Sequence, residues 1–96
     1  MLTPEASAAR TAREREARPS DLRTDDIVLG EFLGDQELLI FALSEIGRRR
    51  VLIALPLDRR ADWFAAASSL REFFEKYFDA AGDKYWERPE NDVRNP

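Results

Sequence analysis

The chain has 96 residues, a net charge of −4, and neither cysteine nor histidine. One small domain fits that length, burying only about 60–65% of the surface its unfolded chain exposes. The composition excludes disulfides, thiolate chemistry and imidazole bases or ligands, and so points away from an enzyme. An acidic balance argues against nucleic-acid binding, which needs a basic stripe, and is compatible with a basic partner. No apolar run approaches the roughly 20 residues of a membrane span. The first residues lack the apolar segment of a signal peptide, so the cytoplasm is the expected compartment.

Residues 1–24 are rich in Ala, Arg and Glu and nearly free of bulky apolar side chains. Helix propensity is high there, but no apolar stripe is present to hold a helix on a core. The expectation is a flexible or weakly helical arm ending near Pro19 and Ser20. Arg10, Arg13, Arg15 and Arg18 lie near one another if it is helical, and Glu5, Glu14, Glu16 and Asp21 nearly cancel their charge.

The pattern changes at Asp26. Ile27, Val28 and Leu29 start an extended segment, and Gly34–Asp35 predicts a tight turn. Residues 38–43 are continuously apolar, as in a strand buried on both faces or an inner strand under a helix. Residues 44–49 carry Gly47 and fit a hairpin connection. Residues 51–57 form the second apolar run, which Pro56 should end. Trp63, Phe64 and the three alanines after them suggest a short helical turn.

Ser69 and Glu72 form a capping box that opens a helix. Leu70, Phe73, Phe74, Tyr77, Phe78 and Ala81 fall on one stripe, and Gly82 sits where a left-handed C-cap residue belongs. Phe73, Phe74, Tyr77 and Trp86 are assigned to the core. The resulting fold class is α+β: a small antiparallel sheet with a C-terminal helix packed on one face and a flexible N-terminal arm. Three segments follow: the arm at 1–24, the domain at 25–87 and a disordered tail at 88–96.

No phosphate loop, dinucleotide fingerprint or nucleophile elbow is present, and no cofactor or metal is expected. Paired carboxylates can cleave glycosides when they face each other about 5–10 Å apart across a cleft, for which a single small domain has little room. Glu31, Asp35, Glu37, Asp58 and Asp62 instead fall in predicted loops at the sheet ends, where binding residues concentrate. They are the candidate partner contacts.

The order of Gly30-Glu31-Phe32-Leu33-Gly34-Asp35, the apolar strand at 38–43, Leu55-Pro56-Leu57, Trp63, Ser68-Ser69-Leu70, Phe73-Phe74 and Gly82-Asp83-Lys84-Tyr85-Trp86 resembles the C-terminal part of the SUKH superfamily. That superfamily includes a yeast regulator of cell-wall glucan synthesis and many bacterial immunity proteins. The resemblance spans residues 28–87. Residues 1–24 lack the Leu-Pro segment usual in the family, which implies a naturally reduced or N-terminally truncated member. It also implies a non-catalytic module that binds and neutralises a bacterial toxin, such as a basic nuclease or deaminase. The alternative is a structural or scaffolding subunit that pairs with another chain, and an oligomer is compatible with either.

Overall fold

The computed structural model describes residues 1–32, 36–43, 48–89 and 93–94. Four strands pair antiparallel in chain order: β1 (Ile27–Phe32), β2 (Glu37–Leu43), β3 (Arg49–Ala54) and β4 (Phe64–Ala67). Helix α1 (Pro4–Ala17) precedes them and α2 (Leu70–Asp79) follows. The fold is α+β, with the C-terminal helix on one face of the sheet, as the sequence pattern predicts.

The two apolar runs are inner strands covered on both faces. Leu39, Val51 and Ile53 face α2, where Phe73, Tyr85 and Trp86 close a first core. Leu38, Ile40, Ala42, Leu52 and Ala54 face the other way, beneath Leu22 and Trp63. Alternation sends neighbouring side chains to opposite faces, so burial on both erases the polar half of the pattern. Strand β3 ends at Ala54, two residues before Pro56. The predicted turn at Gly34–Asp35 and most of the hairpin connection lie outside the described residues.

Residues 63–67 depart from expectation. Phe64, Ala65, Ala66 and Ala67 form a strand and not a helical turn. Alanine favours helix, but pairing with β3 overrides that weak preference. Trp63 and Ala65 join one core, whereas Phe64 and Ala66 join the other. Val93 O accepts a bond from Ala65 N at 2.7 Å, and Arg94 lies over the Phe64 ring at 3.9 Å. Residues 93 and 94 thus close the outer edge of β4.

Ser69 Oγ accepts the Glu72 amide at 3.1 Å, as a helix cap should. The Glu72 carboxylate reaches back to Ser68, taking its hydroxyl at 3.0 Å and its amide at 3.3 Å, so the box spans both serines. The bond from the Ser68 side chain is the main cause that holds the Glu72 carboxyl below its usual range. At the other end, Gly82 N bonds Tyr77 O and Ala81 N bonds Phe78 O, a Schellman closure. Ala81 (φ 55°) and Gly82 (φ 84°) both adopt left-handed backbone. Tyr85 donates its hydroxyl to Ala66 O at 2.9 Å, and burial pushes its pKa up to about 12.

Helix α1 is docked on β1, where the sequence leads one to expect a flexible or weakly helical arm. Ser7, Thr11 and Arg15, spaced at one turn, carry the contact. Ser7 Oγ donates to Val28 O, and Thr11 Oγ accepts Val28 N at 2.9 Å. Arg15 donates to the carbonyls of Thr24 and Asp26 at 2.9 and 3.1 Å. Leu2 N adds a bond to Leu29 O at 2.9 Å. The helix thus satisfies the open edge of β1 with polar side chains, so it needs no apolar stripe. Thr3 caps its first turn, accepting from Ala6 N at 3.1 Å, and Pro4 occupies the first helical position.

Two outcomes follow. Ser7→Ala and Thr11→Val each leave one buried backbone group of Val28 without its partner. Each should cost about 1–3 kcal/mol in urea denaturation, and Thr11→Val should speed hydrogen exchange at the Val28 amide. Ala81→Gly relieves a left-handed alanine worth about 1 kcal/mol, so the thermal midpoint should rise by about 4–8 °C in a calorimetric scan.

Candidate protein-binding cleft

In a four-strand meander the β1–β2 turn and the β3–β4 connector emerge at the same end of the sheet. Helix α1 runs past that end. A second row on it, Arg10, Glu14 and Arg18, is displaced one step from the row that docks on β1. Together with Glu31, Phe32, Gln36, Leu38 and Pro56, this row walls a cleft of about 500 Å³.

The charged walls are fixed by their neighbours. Arg10 Nε bonds Glu14 Oε1 at 2.9 Å, and Arg10 Nη1 bonds Glu31 Oε1. Arg18 is held more tightly still. It bonds Asp21 Oδ2 at 3.2 and 3.3 Å, Leu55 O at 3.1 Å and Asp58 O, with its guanidinium 5.3 Å from the Trp63 ring centre. Phe32 and Pro56 supply apolar surface between these charges, over the buried Leu38. The result is a predominantly polar cleft whose donors and acceptors are preset around the accessible side chains of Phe32 and Pro56, an arrangement compatible with a protein-binding surface.

Behind the cleft lies a buried ion pair. Asp26, 1% exposed, takes both terminal nitrogens of Arg60, which is 7% exposed. Asp26 also accepts the Arg23 amide at 2.8 Å. Arg60 donates its amide to Asp21 Oδ1 at 3.1 Å and its Nη1 to Asp21 O at 2.9 Å. The 3-10 turn Arg60–Asp62, which opens the way into β4, is therefore tied to the segment between α1 and β1. Trp63 packs against both arginines and donates Nε1 to Asp58 O at 3.1 Å.

The five candidate contact residues are distributed unevenly. Glu31 lines the cleft and is paired with Arg10. Glu37 is buried at the start of β2, 3.4 Å from Lys84 Nζ, and offers no surface contact. Its position in a strand against the β-layer, and not in the turn, explains this. Asp58 and Asp62 are exposed on the β3–β4 connector, where Asp62 lies 3.9 Å from Arg59. Asp35 lies outside the described residues. The structure adds Arg10, Glu14 and Arg18, whose spacing of four was visible in the sequence. It also adds Asp21, Asp26 and Arg60, for which no local signal exists. Both carboxylates lining the cleft, Glu14 and Glu31, pair with Arg10, so the cleft alternates in sign and is not an acidic patch.

Among the described residues no group of three or more acidic side chains is placed to hold a metal ion. No helix among them is long and apolar enough to cross a membrane. No family model matches the chain, and no curated protein or solved structure matches it.

The buried pair gives a sharp expectation. Arg60→Met strands the Asp26 charge in the interior and should cost about 3–5 kcal/mol in guanidinium denaturation, whereas pairing it with Asp26→Leu should recover a large part of that loss.

Proposed function

We propose that this chain is a non-catalytic protein-binding module, a SUKH-like immunity protein that occupies a bacterial toxin and neutralises it. The cleft between α1 and the end of the sheet is the proposed contact surface. The observation that carries this is the pair of guanidiniums, Arg10 and Arg18, already immobilised around Phe32 and Pro56. A guanidinium fixed before association loses little side-chain entropy on binding, and arginine is enriched among residues that dominate binding energy. The resemblance at residues 28–87 supports the same class of function. A net charge of −4 favours a basic toxin of the nuclease or deaminase class by steering its approach. The mixed signs inside the cleft then serve orientation more than attraction.

The test mixes the purified chain with a set of purified basic bacterial nuclease and deaminase toxin domains, with the turnover of each as readout. Wild type should abolish the turnover of at least one of them at a stoichiometric ratio. Arg10→Glu should weaken inhibition at least ten-fold, about 1.4 kcal/mol, with an unchanged circular dichroism spectrum. Full turnover by every one of them in the presence of excess wild type would remove the proposal.

A further inference from the structure

Arg10, Arg18, Arg60 and Arg71 each meet a carboxylate. Arg15 and Arg49 do not. Arg15 donates Nη2 to the carbonyls of Arg23, Thr24 and Asp26, and its buried Nε has no acceptor among the described residues. Arg49 is exposed, donates Nη1 to Asp25 O at 3.2 Å and lies 5.3 Å from the Phe41 ring centre. Both guanidiniums line an open groove of about 760 Å³ between α1 and the start of β1. Bonds to the carbonyls of residues 24–26 place them at one end of it. The rest is apolar: Ile27 and Leu29 of β1, with Leu2, Pro4 and Ala8 beside them. Ile27 is 40% exposed. Of the two acids in the lining, Asp26 is neutralised by Arg60, and Asp25 offsets one guanidinium. One positive charge is left uncompensated at the end of an apolar groove, in a chain of net charge −4.

We propose that this groove binds a small amphipathic carboxylate, an acyl chain carrying one negative charge, with its head group on Arg49 and its chain along Ile27 and Leu29. A guanidinium fork matches a carboxylate with two parallel bonds, and Arg49 has donors to spare beyond Nη1. Arg15, held by its carbonyls, contributes field and not contact. The single uncompensated charge suits a monoanion, and the Asp25 carboxylate opposes a second negative charge. The volume falls in the range of small-molecule sites, about 300–1,000 Å³. A peptide adding to β1 as a strand would find its partners taken, because Ser7 and Thr11 bond Val28 O and N and Leu2 N bonds Leu29 O. The groove shares no residue with the cleft assigned to toxin binding, so the two proposals stand or fall separately.

Titration of octanoate into the full chain, followed by amide NMR, tests this. Octanoate should bind with a Kd on the order of 0.1–1 mM and shift the amides of residues 2–8 and 24–29. Butanoate should bind at least about ten-fold more weakly, since each buried methylene is worth up to about four-fold. Arg49→Gln should weaken octanoate at least about five-fold and leave the weaker binding of octan-1-ol unchanged. Asp25→Asn should tighten octanoate. Both positions are exposed, and the same spectra report whether each variant is folded. Absence of a saturable shift up to about 10 mM octanoate overturns the proposal, as do shifts confined to other residues. Butanoate binding as tightly as octanoate marks an adventitious ion only and overturns it too. So does an Arg49→Gln variant that loses octan-1-ol along with octanoate, or an acidic peptide that binds this groove where octanoate does not.

Discussion

The Asp26–Arg60 pair joins segments that are 34 residues apart in the chain. Removing both charges from water costs several kcal/mol per ion, and only close geometry with further hydrogen bonds offsets it. Those bonds are present: the Arg23 amide on Asp26, and Asp21 on both the amide and the guanidinium of Arg60. Asp21 in turn holds Arg18, and Arg18 holds the carbonyls of Leu55 and Asp58. One buried pair therefore fixes the exit from α1, the entry to β1 and the route into β4 relative to each other. It also fixes the position of Trp63, which has no exposed surface and lies against both arginines.

The same economy of means governs the sheet edges. A four-strand sheet has two open edges, each a template for unwanted pairing. Edge β1 is closed by hydroxyls and a guanidinium from α1, and edge β4 by the backbone of Val93 and the side chain of Arg94. Polar closure leaves the helix surface free of apolar bulk. Exposed large apolar side chains then collect elsewhere, at Met1, Leu57 and Phe78 among others. Both closures oppose strand addition at these edges.

Much of the sheet and of α2 was legible locally. Residues 38–43 and 51–54 read as strands because burial on both faces needs continuous apolar sequence. The start of α2 was legible because a serine followed three residues later by glutamate satisfies orphan amides within a single turn. Residues 63–67 carry no local strand signal, since three alanines favour helix and only pairing with β3 makes them a strand. The missing apolar stripe of α1 argues against docking only where helices dock by hydrophobic burial. Ser7 and Thr11 dock by bonding Val28, whose free N–H and C=O exist only once β1 is an edge. Among the candidate contacts, Glu31 reached the cleft, whereas Glu37 was drawn inside by a strand boundary that the turn residues alone did not fix.

The sequence by itself determined the α+β class, the two inner strands, the capped aromatic helix and the lack of imidazole and thiol chemistry. Each rests on residue type or on spacing within one or two turns of chain. Only the tertiary structure decided that Arg10, Glu14, Arg18 and Glu31 share a cleft, that Asp26 meets Arg60, and that Arg15 and Arg49 line one groove. Those facts depend on which strand is an edge and which connectors share an end of the sheet. Charge and hydroxyl pairing across 17 to 34 residues leaves no periodic trace, because a single polar contact needs only one residue at each end.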